Sequence, residues 1–195
     1  MQMRYALTEA TAPAAEPLST AEAKAHLRVD VADDDDLIDR IIGAARRQAE
    51  TFTGRALIGQ TWDLDLDCFP GWTIDVPKPP LQSVSQIEYL DADGVSQVLS
   101  SSLYRVDARR QPGRITPAYG EVWPVTRGTT NAVTVRFVAG YGAAGSDVPE
   151  DIRQAMLLIV GDLYEHREET ITGTIVGRIP RSASALLHPY KVYSV

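Results

Sequence analysis

The spacing of polar and apolar positions along this chain changes period twice. From about Asp34 to Thr53, Ile38, Ile41, Ile42, Ala45, Ala49 and Phe52 recur at i, i+3, i+4, i+7, i+11 and i+14, which predicts an amphipathic helix. Its other face carries Asp36 with Arg40 and Arg46 with Glu50, each pair four residues apart, and Gly54 is placed to end it. Ahead of it, Ser19 stands three residues before Glu22, a capping-box spacing that predicts a short helix from Thr20 to about Arg28 with Ala23 and Leu27 inward. Helical spacing returns from Pro149 to Glu168, with Ile152, Met156, Ile159 and Leu163 on one stripe. Ala155 to Val160 is apolar on every side, so this helix is expected to be surrounded by others. Glu150 and Asp151 suit the positive end of its dipole, His166 and Arg167 the negative end.

Between these blocks the period is two. Thr61 to Phe69 alternates Trp62, Leu64 and Leu66 with Asp63, Asp65 and Asp67, the pattern of a half-buried strand with an acidic outer face. Thr73–Val76, Val84–Leu90, Val95–Leu99, Tyr104–Asp107, Arg114–Thr116 and Ala132–Ala139 read as further short strands, with Asp93-Gly94 as a hairpin signal. No helical stretch separates them, so an antiparallel sandwich or small barrel is expected rather than parallel winding. The fold class is therefore α+β. A small helical bundle is built from 18–56 and 146–168, two N-terminal helices plus a long central one, with an antiparallel β domain inserted at 57–145. Residues 8–17 read as a loose lead-in. Residues 169–195 read as a flexible loop (169–180) followed by one helical turn at most and an extended C-terminal arm.

Charge narrows the function. A net charge of −7 argues against a protein that grips duplex DNA, because such binding rests on neutralised phosphates, and Arg46-Arg47 and Arg109-Arg110 are isolated pairs. Weak or absent duplex binding is expected. Cys68 is the single cysteine, so neither an intrachain disulfide nor a cysteine metal cluster can form. The first residues lack the apolar core of a signal peptide. The longest apolar run of the 149–168 segment is far short of the ~20 residues of a membrane span.

No catalytic constellation is assembled. The run Asp33–Asp36 could suggest a metal site, but it reads more simply as charge at a helix start. Gly140, Gly142 and Gly145 spell a dinucleotide fingerprint directly after a strand. The next helix is delayed to Pro149, and Asp147, Glu150 and Asp151 would repel a phosphate. There is no G-x-S-x-G elbow, and His26, His166 and His188 have no metal-site spacing. Asp91-Ala92-Asp93-Gly94 is a turn lacking the later ligands of a calcium loop. The carboxylates are too many, and too unplaced, to support a glycosidase.

The ordered set of segments carries a resemblance. LSTAEAKAHLRVD (Leu18–Asp30), DDDLIDRIIGAARRQAETFTGRAL (Asp34–Leu57), the Gln60-Thr61-Trp62 strand start, PPLQSVSQIEYLDADG (Pro79–Gly94), YRVD (Tyr104–Asp107), PAYGEVWP (Pro117–Pro124), AVTVRFVAGYG (Ala132–Gly142), VPEDIRQAMLLIVGDLYEHRE (Val148–Glu168) and ALLHPYKV (Ala185–Val192) together resemble the head–tail connector (adaptor) proteins of long-tailed phages. The likeness is to their longer branch with a β insertion, found in prophages and gene transfer agents. It implies a structural subunit, with no enzymatic activity and no cofactor. Copies would form a ring, matching a twelvefold portal, in a virion or gene-transfer-agent particle assembled in the bacterial cytoplasm. The implied partners are the portal protein, a tail-side connector or stopper protein, other copies of the chain, and double-stranded DNA that passes without tight binding; no membrane is involved. The apolar C-terminal arm, through Leu186, Leu187, Pro189, Tyr190, Val192 and Tyr193, is expected to dock on the portal. Asp36, Arg40, Arg46, Arg47 and Glu50 are expected at the subunit interface. The alternative is a carbohydrate- or receptor-binding module of a phage tail, with Trp62, Trp72 and Trp123 as its platform.

Overall fold

The structure is a computed structural model that describes residues 5–166 and 179–193. It is mixed α+β with antiparallel sheets and divides into two compact units. A β unit takes the residues up to Pro13 together with Gly59–Tyr141, and a helical unit takes Ala14–Ile58 together with the residues from Gly142 on.

In the helical unit, α1 (Thr20–Leu27) opens on the capping box read from the sequence. The Ser19 hydroxyl accepts from the Glu22 N–H, and the Glu22 carboxylate accepts from the Ser19 N–H. α2 (Asp35–Thr53) buries Ile38, Ile42, Ala45 and Ala49 and ends at Gly54, whose φ of 73° is the left-handed conformation that a side chain resists. α3 (Glu150–Glu165) buries Ile152, Ala155, Met156, Ile159 and Val160 and touches each of the other three helices. Leu157, Leu158 and Leu163 are only half-buried, so α3 is covered on most of its circumference rather than all of it. Arg167 and Glu168 lie outside the described residues, as does most of the 169–180 stretch expected to be a loop.

The C-terminal expectation needs correction. Instead of one turn and a free arm, Arg181–Leu187 forms α4, a 3₁₀ turn follows at His188–Tyr190, and α4 packs on α3 with Ala183 and Leu187 both at 0% exposure. The bundle therefore has a fourth helix. Its two apolar anchors lie four residues apart, one helical turn, and so fall on the same face.

The β unit begins with a second correction. The expected loose lead-in at 8–17 holds only from residue 12, because Tyr5–Thr11 is strand β1, paired antiparallel with β2 (Gln60–Leu66) through a bulge between Glu9 and Thr11. β3 (Ile74–Val76), β4 (Leu81–Leu90), β5 (Ser96–Val98), β6 (Tyr104–Asp107), β7 (Gly113–Pro117) and β8 (Val133–Ala139) follow. They make a five-stranded sheet, β1-β2-β8-β4-β5, and a three-stranded one, β3-β7-β6. β8 is central in sequence logic as in space: Val133, Val135, Phe137 and Ala139 alternate inward at 0% exposure while Thr134 and Arg136 face out. Ile74, Val76 and Ile115 are the buried row of the second sheet. The Leu81 side chain of β4 lies directly over Gly113 of β7, where a Cβ would come within 2.6 Å of it, so glycine is what lets strands of the two sheets approach.

Candidate functional site

The carboxylate groups that looked like candidate chemistry are engaged by near neighbours. The outer row of β2 meets partners on and beside β8: Arg136 makes a two-pronged pair with Asp63 at 2.7 and 2.8 Å, the Thr134 hydroxyl donates to Asp65, and the Asn131 N–H donates to Asp67. The Arg136 guanidinium holds the Asp63 carboxyl below its ordinary range. In the run Asp33–Asp36, Asp34 stands at the N-cap position of α2, but its carboxylate accepts from the Tyr164 hydroxyl of α3 instead of capping, and Asp35 pairs with Lys24 of α1. Among the described residues no group of acids, histidines and cysteine could hold a metal ion. At the glycine-rich turn, the Asp147 carboxylate lies beside Gly142 and accepts from the Ala144 N–H. A carboxylate thus fills the turn beside Gly142 and takes up the Ala144 N–H.

The residues expected at a subunit interface separate into two groups. Asp36, Arg40 and Arg47 are exposed on α2, and no ion pair joins Asp36 to Arg40 among the described residues. Arg46 and Glu50 are not on a solvated face. They are 9% and 8% exposed, and Arg46 bridges Glu50 at 2.9 Å and Glu16 at 2.8 Å. Burial alone would lower the Arg46 pKa, but the two carboxylates outweigh it and raise it. The Glu50 carboxylate also accepts from the Leu57 N–H. Sequence spacing found the Arg46–Glu50 pair but not Glu16, thirty residues away, whose arrival is what closes the site.

The residues expected to dock on a portal are likewise held in place. Leu187 is fully buried; Leu186, Tyr190 and Val192 are half-buried; Pro189 and Tyr193 are exposed. The Tyr190 carbonyl accepts from Arg55, the Val192 N–H donates to the Thr53 carbonyl, and the Tyr190 hydroxyl reaches Asp151 at 3.3 Å. Burial, then the Asp151 charge, raises the Tyr190 phenol. Lys191 lies over the rings of Phe52 and Tyr193 at 5.3 and 5.7 Å. The segment has a place in its own unit.

Of the three tryptophans, the structure brings two together. Trp123 donates its indole N–H to the Trp72 carbonyl at 3.1 Å and stacks on Phe69 with ring centres 4.9 Å apart. With Cys68 and Val122 they line a pocket of about 360 Å³. Trp62 stands apart on β2 beneath Lys78. Next to the pocket runs a feature that sequence reasoning did not single out as a site, the loop from Tyr119 to Val125. Tyr119, Val122 and Val125 are 103%, 81% and 79% exposed, and Trp72 beside them is 60% exposed. A largely apolar stretch without either period, punctuated by Pro117, Gly120 and Pro124, was the available signal.

The described residues thus form an α+β chain with its candidate carboxylates held by local partners and an exposed aromatic loop as its distinctive surface. Residues 19–89 match the family model of the phage gp6-like head-tail connector proteins. No curated protein matches the chain significantly. Among solved structures, the chain is 28% identical to a chain in the neck of an empty gene transfer agent (GTA) particle computed with C6 symmetry. That match has a TM-score of 0.79 and covers 97% of both chains. It is 27% identical to a chain in the virion of a native GTA particle, with a TM-score of 0.80 over 97% of this chain and 96% of that one. A third match, 28% identical with a TM-score of 0.77 over 97% of each, is to the neck of a native GTA particle computed with C12 symmetry. The resemblance to head–tail connectors read from the ordered segments is thus met independently by sequence and by fold.

Proposed function

We infer that this chain is a structural head–tail connector subunit of a phage or gene-transfer-agent particle, working in a ring of identical copies at the neck. The observation that carries this reading is the end-to-end match, 97% of both chains, to a neck protein in symmetric GTA particles. A match confined to the helices would have supported a shared bundle only; this one includes the β unit. In the ring the chain joins head to tail beneath the portal and lets double-stranded DNA pass, with a tail-side connector or stopper on its other face. It acts without catalysis or cofactor. The net charge of −7 suits a wall that DNA slides past rather than one that retains it. Neither comparison favours a carbohydrate- or receptor-binding module. The test is a mass measurement of the purified chain alone and mixed with the portal of its own particle. Higher-order rings and a stable portal complex are expected, and particles lacking the chain should accumulate as separate heads and tails. Normal tailed particles without it would overturn the reading.

A further inference from the structure

One hairpin of the β unit reverses the charge of the chain that carries it. Arg105, Arg109, Arg110 and Arg114 all fall in the β6–β7 hairpin, where Asp107 is the single acid, although the whole chain has 26 acids to 19 lysines and arginines. The hairpin is fixed by its ladder: Arg105 pairs with Thr116, Val106 with Ile115 and Asp107 with Arg114. β6 is the outer strand of its sheet, and every residue from Arg105 to Gln111 is exposed. The register sets two acids beside this row, Asp107 on β6 and Asp75 on β3, both opposite Arg114. The Asp107 carboxylate accepts from the Arg109 N–H and so shapes the turn. Asp75 stands 3.7 Å from the Arg114 Nε. Among the described residues, Arg105, Arg109 and Arg110 enter no ion pair. Three guanidinium groups thus stand at a rigid tip with their charge uncompensated by a bonded acid.

What such a tip recognises follows from what it lacks. Val106, 40% exposed, is its one exposed large apolar residue, whereas a protein interface is built around an apolar centre. Charge alone, presented by planar donors whose fork matches a pair of phosphate oxygens, is the chemistry of contact with a nucleic-acid backbone. We propose that the β6–β7 tip is where this chain touches passing duplex DNA, taking backbone phosphates through Arg105, Arg109 and Arg110. The proposal rests on the connector reading above, which brings a duplex past each copy. Three contacts steer and do not hold. Each phosphate neutralised steepens the fall of affinity with salt by about 0.9 in the logarithmic slope, so binding present at low salt is largely gone at physiological salt. The acidic balance of the remaining chain confines the contact to the tip, because a net charge of −7 repels the duplex elsewhere. The contact is blind to sequence, as it must be for a DNA that moves.

The experiment follows a short labelled duplex of mixed sequence by fluorescence anisotropy against the full chain over a salt series, with thermal melts as a control for folding. The wild type should bind at low salt and release the duplex as salt rises. Arg109→Ala with Arg110→Ala should weaken binding at low salt at least about fivefold and make the salt slope shallower by about two. Arg109→Lys with Arg110→Lys should keep most of the affinity. The charge-matched control, Arg28→Ala with Arg181→Ala, removes two exposed arginines of the helical unit and should bind as the wild type does. Equal losses in the two alanine variants, or a wild type that binds no duplex at low salt, overturn the contact. So does an alanine variant of the tip that keeps the duplex but loses self-association in sedimentation, which would make the tip a protein contact. The connector reading has its own readout: the tip variant should form rings as the wild type does, and a wild type that forms none, alone or with its portal, overturns that reading whatever the duplex shows.

Discussion

The helical unit and the β unit treat charge in opposite ways. In the helical unit two half-buried or buried arginines each gather carboxylates from separate segments. Arg46 links Glu16 to Glu50, and Arg153 holds Glu22, Glu150 and the Pro17 carbonyl together. In the β unit they lie on the outer surface between strands already paired by the backbone, as with Asp63 and Arg136 or Asp75 and Arg114. Short helices cannot satisfy one another's backbone groups, so the helical unit needs side chains to set how its elements meet. A sheet registers itself through its ladder, and its surface pairs add little. The difference makes one unit sensitive to single polar changes and the other tolerant of them.

The strongest way to break that contrast is to remove a helix outright. Ending the chain at Pro180 should unfold the helical unit, because Ala183 and Leu187 leave a gap beside α3. The milder Leu187→Ala should cost ~3 kcal/mol in chemical denaturation, within the range for truncating a buried leucine. A truncated chain that melts like the full one would show that α4 belongs to a docking arm after all. Next comes a matched pair. Arg46→Met strands the Glu16 and Glu50 carboxylates and should cost ~2 kcal/mol, whereas Arg136→Met should leave the melting temperature almost where it was. Equal losses would erase the contrast between the units.

Ser19→Ala should cost ~1 kcal/mol through the lost cap. It should also change the acid response. Ser19 donors first, and Arg153 after them, hold the Glu22 carboxyl below its ordinary value of 4.5. A carboxyl with a lowered folded pKa contributes stability that is present above that ordinary value and lost as pH falls through the lowered one. Ser19→Ala keeps the backbone N–H, the larger of the two donors, and removes the hydroxyl, so the fall in stability below about pH 4.5 should become shallower without disappearing, measured by denaturation at a series of pH values. The smallest effect is expected from Asp63→Asn. It removes the equivalent response in the β unit, at pH values below 3.8, and should register only at low salt because Arg136 is largely exposed.

Much of this was legible from the residues, and the gaps have physical causes. α2 announced itself because nineteen residues repeat one stripe, and β8 because Val133, Val135 and Phe137 alternate with Thr134 and Arg136. β1 was missed because it is exposed on both faces apart from Leu7; an edge strand with no buried row has no period-two signal. α4 was missed because seven residues rich in serine and alanine show two buried positions at most, Ala183 and Leu187, too few for a periodic reading. The burial of Arg46 was hidden for another reason. Helix spacing gives the neighbour at i+4, whereas the partner that encloses this guanidinium, Glu16, arrives through tertiary structure alone. The exposed loop at Tyr119–Val125 carried residues that sequence logic assigns to a core.

The position of α4 also has a consequence for how the protein is made. Arg55 holds the Tyr190 carbonyl, a contact across 135 positions of sequence, and Thr53 takes the Val192 N–H beside it. On the ribosome, α1 and α2 are complete and outside the exit tunnel long before α3 exists, and they wait through the synthesis of nearly the whole β unit. The apolar face of α2 is then covered by α3 and α4, both translated after the β unit. A chain interrupted before α4 would carry a finished sheet and an open set of helices. Placing this seal C-terminal to the whole β unit makes synthesis of α4 the step that completes the helical unit.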